Sequence, residues 1–178
     1  MTEKVIVAGS GGQGVMLLGK VLAEAVMRHG CQVSWFPAYG AEVRGGTSHC
    51  MVTISDNEIG SPYVNKADTL IILNGPSLDK FKERVRDDGL LVLNSSLAKV
   101  SGMKNIHLLQ YPFTDIALKL GNIKVANMVA LGCYLGAKKI VNPGEVTEVF
   151  KTMAPAGKTD VVEVNKKALQ EGVKLSNG

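Results

Sequence analysis

The chain has 178 residues, 46% of them hydrophobic, which suits one domain with a full core and excludes a disordered chain. Its 20 basic and 16 acidic residues leave a net charge of +4 spread along the sequence. With four Phe, four Tyr and one Trp, the composition argues against a nucleic-acid footprint or an aromatic platform for single strands. No apolar run reaches the ~18 residues of a membrane span, and no secretory h-region precedes the first strand, so a cytoplasmic protein without membrane contact is expected.

Val5–Ala8 is a short apolar run ending at glycine, the pattern of a fully buried strand. Val15–Leu18, Leu22–Ala23 and Val26–Met27 then recur at helical spacing up to Gly30, a natural helix stop. Cys31–Phe36 reads as a second strand, so the first thirty-odd residues form a strand–helix–strand unit. Pro37–Ser48 has little periodicity and reads as a loop. Cys50–Ser55 is strand-like and is followed by a turn at Asp56–Glu58. Ile59–Pro62 leads out of what looks like a hairpin, so an antiparallel strand is possible there. Asp68–Asn74 holds another buried strand. Pro76 opens a helix expected to run to about Arg86 with Leu78, Phe81 and Val85 inward, and Gly89 ends that element. Leu90–Asn94 and Ile106–Gln110 are strands, and Val125–Lys138 is a long apolar helix. Asn142-Pro143-Gly144-Glu145 caps a helix to Thr152, and Asp160–Leu175 is the last helix. The alternation predicts an α/β fold: a three-layer α/β/α sandwich, Rossmann-like, with a mostly parallel sheet, spanning 1–178 as a single domain.

Gly9-Ser10-Gly11-Gly12-Gln13-Gly14 joins the first strand to the first helix and satisfies G-x-G-x-x-G in its expected place. Such a loop offers free backbone N–H groups and the partial positive charge of a helix N-terminus to an anion. It serves equally as a tight turn that lets the helix pack on the sheet, or as a subunit contact. A nicotinamide site needs an acid near the end of the second strand, yet Val33–Ala38 carries none, and no arginine for a ribose phosphate either. Lys20 follows Gly14 by six residues, so the loop is not a Walker A motif. The next unusual segment, Pro37–Ser48, falls at the same carboxyl edge of the sheet. There Arg44, followed by two glycines and two hydroxyl residues, suits a phosphate or carboxylate, while a Glu42–Arg44 pair would simply pin a turn.

Cys31, Cys50 and Cys133 are far apart, so neither a zinc site nor an iron–sulfur cluster is indicated, and they read as buried free thiols. No acidic Gly-Asp-Gly segment with a downstream Asn is present to hold magnesium on a diphosphate. His29, His49 and His107 read as surface or packing residues, with His49 notable for adjoining the second loop. The small residues Ala126, Ala130, Gly132, Gly136 and Ala137 permit close helix packing, in the core or at a subunit interface, and Asn127 among them needs a buried partner.

Taken together, Gly9–Val15 and Tyr39–Ser48 (Tyr-Gly-Ala-Glu-Val-Arg-Gly-Gly-Thr-Ser) resemble the gamma subunit of 2-oxoacid:ferredoxin oxidoreductases, the family acting on pyruvate, 2-oxoglutarate or ketoisovalerate. Ser61-Pro62, Ala67-Asp68, Asn74–Phe81 and Asn127–Gly132 extend the likeness over nearly the whole chain. The wording of the second loop is closest to enzymes acting on 2-oxoglutarate. The resemblance implies a complex that decarboxylates a 2-oxoacid on thiamine diphosphate with magnesium. Electrons pass through iron–sulfur clusters to ferredoxin, and the acyl group goes to coenzyme A. It assigns no cofactor and no catalytic residue to this chain alone, which is expected to be inactive by itself. It implies alpha, beta and ferredoxin-like delta partner subunits, with a homodimer open to the isolated chain. The expected contacts to the acyl acceptor or a neighbouring chain are Gly9, Gly11, Gly12, Gln13, Gly14, Tyr39, Glu42, Arg44, Gly45, Gly46 and Thr47. Among them, the N–H groups of Gly11, Gly12 and Gln13 would act with Arg44. An indolepyruvate oxidoreductase subunit and a free-standing nucleotide-binding Rossmann-like protein are the competing readings.

Overall fold

The computed structural model describes residues 1–38, 47–154, 157 and 159–176. Six strands form one mixed sheet: β1 (Thr2–Ser10), β2 (Gln32–Ala38), β3 (Thr47–Ser55), β4 (Ala67–Ile72), β5 (Val85–Asn94) and β6 (Ile106–Tyr111), in the order β2-β3-β1-β4-β5-β6. β1, β4, β5 and β6 are mutually parallel, while β3 is antiparallel to both β1 and β2. The helices are α1 (Val15–Arg28), α2 (Gly75–Phe81), α3 (Phe113–Lys119), α4 (Ala126–Lys138), α5 (Pro143–Met153) and α6 (Thr159–Ser176).

The strands bury alternate residues on two faces. Val5, Val7, Cys50, Val52, Ile71 and Val92 meet α1, α3, α4, α5 and α6, while Ile6, Ala8, Met51, Leu70, Ile72 and Leu91 meet α2 and the segments around Val64 and Ala98. The sandwich is therefore lopsided, five helices against one short one. None of the described helices is long and apolar enough to cross a membrane.

The strand–helix–strand unit forms as its apolar spacing requires, but β2 does not lie beside β1, because β3 is inserted between them. The hairpin thus precedes β3 rather than following it. The reason is burial. Cys50 to Ser55 are buried residue after residue, which an edge strand does not permit. The residues from Asp56 onward instead cross toward β4, and Val64 packs on the α2 face.

The helix expected to reach Arg86 stops at Phe81, followed by one 3₁₀ turn, Lys82–Arg84. Its start is as expected, with the Asn74 side chain accepting from the Ser77 amide at 3.1 Å. Its end is set from outside. Arg84 donates to the carbonyls of Val64 and Asn65, and Val85 pairs with Ala67 to begin β5. Gly89 lies inside that strand, not at its end, where the pairing register shifts between Ala67 and Thr69. A Cβ on Gly89 would come within 2.8 Å of the Arg86 carbonyl oxygen. α3 was not legible in the sequence, because its seven residues carry too little periodicity.

Of the small residues of α4, Ala130, Gly132 and Gly136 are buried in the core, Ala126 is half-buried and Ala137 is exposed. α4 is buried from Asn127 to Gly136, with the sheet on one side and α6 on the other. At Gly172 of α6 a Cβ would collide with the Val129 carbonyl and lie 2.8 Å from the Cys133 nitrogen, so the two helices touch backbone to backbone.

Candidate functional site

β1 and β4 send their following helices, α1 and α2, to opposite faces of the sheet, so a crevice opens between their carboxyl ends. The glycine loop sits there. Gly14 caps α1 at φ 73°, a left-handed conformation suited to glycine, and no side chain caps that helix end. A Cβ on Gly14 would collide with the Asn127 side chain, whose Nδ2 donates to the Gly14 carbonyl at 3.1 Å. Asn127 thus has the buried partner its sequence position demanded, and its Oδ1 also accepts from the Met128 amide at 2.9 Å.

Gln13 is folded back into the loop. Its Oε1 accepts from the Ser10 amide at 2.7 Å and its Nε2 donates to the Leu73 carbonyl at 3.3 Å. Its own amide donates to the Ser10 carbonyl at 3.2 Å and is therefore not open to a ligand. Gly9 leaves the space that the Gln13 side chain fills, since a Cβ there would stand 2.7 Å from Oε1. The Gly11 and Gly12 amides donate to nothing among the described residues, and both glycines are exposed. They are the exposed donors of the loop; the half-buried Gly14 amide also donates to nothing among the described residues.

Beside them is a cleft of about 150 Å³ lined by Gly12, Gln13, Leu73, Asn94, Thr114 and Lys124, with Leu97 and Ile123 at its rim. Leu97 and Ile123 are 49% and 53% exposed, unusual for such side chains and consistent with a face that something covers. Lys124 is exposed and stands one residue before the final residue of a 3₁₀ turn capped by Asn122. Amide donors and one ammonium beside an apolar rim suit an anionic group attached to an apolar body. Sequence reading missed Asn94, Thr114 and Lys124. Asn94, a polar residue closing the buried run Leu90–Leu93 at the carboxyl end of a central strand, carried the available signal.

The second loop begins and ends at the same edge, because Ser10 pairs with Thr47 and Ala38 with His49. Tyr39, Glu42, Arg44, Gly45 and Gly46 lie outside the described residues. The Thr47 hydroxyl is buried without a partner among the described residues, and so is Nδ1 of His49. The His49 ring lies 4.8 Å from that of Phe81. Burial first, then the nearby Lys80 and Arg84 cations, hold its pKa below the usual 6.5, so the ring is neutral at pH 7. The unfolded chain takes up a proton that this folded site resists, so stability is complete above about pH 6.5 and falls as the pH drops below it. A His49→Gln chain should show a flatter fall in urea midpoint between pH 7 and pH 5. An unchanged slope would show that His49 does not contribute.

The thiols of Cys50 and Cys133 are pushed up to about 12 by burial, which leaves them inert, and Cys31 is half-buried. His29 meets Glu145 at 3.0 Å on the surface. Among the described residues no three His, Cys, Asp or Glu side chains gather as metal ligands.

A family model described as pyruvate ferredoxin/flavodoxin oxidoreductase matches residues 4–175. The chain belongs to this family. It is 39% identical over 169 residues to the ketoisovalerate oxidoreductase subunit VorA of Methanothermobacter thermautotrophicus, covering 95% of this chain but only 35% of that relative. The chain thus spans about a third of the length of the VorA relatives it matches. It is 30% identical to the 2-oxoglutarate synthase subunit KorC of Methanocaldococcus jannaschii, over 99% of this chain and 95% of that one. The gamma subunit of a keto/oxoacid ferredoxin oxidoreductase from Geobacter sulfurreducens superimposes with a TM-score of 0.85 at 29% identity, covering 98% of both chains. The likeness drawn from two loops therefore extends across this family's gamma-type fold.

Proposed function

We propose that this chain is the gamma subunit of a multi-subunit 2-oxoacid:ferredoxin oxidoreductase. In this reading its carboxyl edge faces coenzyme A and the chains that carry out the oxidative decarboxylation. The observation that carries the proposal is the open amide of Gly12, preceded in the loop by the open amide of Gly11, in a cleft shared with Lys124 and an exposed apolar rim. Those amides and the ammonium bind a phosphate of the acyl acceptor, while Leu97 and Ile123 meet its apolar part or the neighbouring chain.

The described residues do not fit thiamine diphosphate with magnesium or an iron–sulfur cluster: among them no three His, Cys, Asp or Glu side chains gather, and the buried thiols of Cys50 and Cys133 are inert. Alpha, beta and delta partners hold them in this reading, and the isolated chain is inactive. The second loop favours 2-oxoglutarate as the substrate, whereas the 39% identity to a ketoisovalerate oxidoreductase subunit favours the branched acid. A free-standing dinucleotide-binding protein is disfavoured by the end of β2, where Ser34–Ala38 offers no acid for a ribose.

The test is anaerobic purification of the tagged chain from its own cells, followed by coenzyme A-dependent dye reduction with a panel of 2-oxoacids. Larger partner chains should co-elute with activity on one oxoacid, which names the substrate. Recovery of the chain alone, under conditions that keep such complexes intact, would refute the subunit reading.

A further inference from the structure

We infer that Asn94 is a positioning residue for the glycine loop, acting through the Leu73 carbonyl. The inference deepens the reading above and rests on it for its link to coenzyme A. Leu73 follows β4 directly, and its amide donates to the Ala8 carbonyl at 2.9 Å, continuing the β1–β4 ladder. Its carbonyl lies one residue past the last β4–β5 pair, Ile72 with Leu93, and is held by side chains. A carbonyl oxygen has two acceptor sites, and this one uses both: Asn94 Nδ2 donates at 3.1 Å and Gln13 Nε2 at 3.3 Å.

Asn94 is only 1% exposed, and both polar atoms of its side chain are bonded. Nδ2 also donates to the Thr114 hydroxyl at 2.9 Å, and Oδ1 accepts from the Thr114 amide at 3.3 Å. A chain of hydrogen bonds thus runs from the start of α3 through Asn94 and Leu73 to Gln13, and through Gln13 to the Ser10 amide. Gly11 and Gly12 hang between Gln13 and the end of β1. Their amides are aimed by Gln13, itself held at the Ser10 amide and the Leu73 carbonyl. Buried networks of this kind hold one geometry because each broken link leaves a desolvated polar atom.

Asn94→Asp keeps the shape and replaces the Nδ2 donor with a carboxylate oxygen facing the Leu73 carbonyl. Two readouts test it. In the full chain, hydrogen exchange at the Ser10 and Gln13 amides, both bonded inside the loop, should speed up about tenfold while exchange in α5 stays unchanged. In the assembled complex, KM for coenzyme A should rise about tenfold, with KM for the oxoacid within about twofold of the parent. Lowering the pH to protonate the introduced acid restores a donor and should recover part of both effects. Asn94→Ser, too short to span to Leu73 and without a titratable group, carries the same test at every pH. Parent-like exchange at Ser10 and Gln13 in folded Asn94→Ser overturns the inference. Faster exchange with an unchanged coenzyme A KM upholds it, and overturns instead the reading that this loop meets coenzyme A.

Discussion

A Gly172→Ala chain should melt about 6 to 10 °C below the parent. Helix propensity alone predicts the opposite sign, since alanine in a helix interior is favoured over glycine by about 1 kcal/mol. Packing decides against it. The added Cβ would meet the Val129 carbonyl oxygen, the Cys133 nitrogen and the Gly132 Cα, all backbone atoms of α4 that have no rotamer to change. α6 must therefore move bodily, which weakens the burial of Ala168 and Leu169 against α4. Overpacking of this kind costs about 1–3 kcal/mol, and part of the burial of one leucine and one alanine is lost with it. A net loss of about 2–3 kcal/mol corresponds to the stated shift for a chain of this size. Gly60→Ala, where nothing lies within 4 Å of the new methyl, is the control and should melt within about 1 °C of the parent. Thermal unfolding followed by circular dichroism reads both. A Gly172→Ala midpoint at or above the parent's would contradict the close α4–α6 crossing.

The sequence made plain those elements whose partners lie nearby or whose pattern is long. α1 and α5 carry apolar residues at helical spacing, and α5 has a cap in which the Glu145 side chain accepts from the Asn142 amide and the Asn142 side chain accepts from the Gly144 amide. Leu70–Ile72 of β4 and Leu90–Leu93 of β5 are unbroken apolar runs. What stayed hidden depends on distant contacts. Nothing local in Cys50–Ser55 says that it lies between β1 and β2, because strand order is settled by burial on both faces and not by propensity. Arg84 ends the α2 segment through carbonyls about twenty residues earlier in the chain, which no helix pattern encodes.

The candidate site divides in the same way. The glycine spacing announced the loop, and the structure adds which of its amides are spent and which are open. Gln13 looked like a donor to a ligand and is instead the latch that shapes the loop. Asn94, Thr114 and Lys124 come from three separate segments and meet only in the folded chain.

The central claim, that the open end of the glycine loop meets an anionic acyl acceptor, is tested most directly at Gly11. Unlike Gly12 and Gly14, it does not have a positive φ, and nothing lies within 4 Å of a Cβ built on it. A side chain there costs the fold little, so Gly11→Glu adds a charge at the loop without disturbing what holds the loop. A carboxylate within ~5 Å of a bound phosphate, in the partly screened environment of a cleft, weakens binding by about 2 kcal/mol or more, which is at least about tenfold. The measurement is the KM for coenzyme A of the assembled complex carrying Gly11→Glu, beside its KM for the oxoacid and the melting temperature of the chain. The account predicts a coenzyme A KM raised about tenfold or more, an oxoacid KM within about twofold of the parent, and an unchanged melting temperature. A parent-like coenzyme A KM in a fully assembled complex would contradict it.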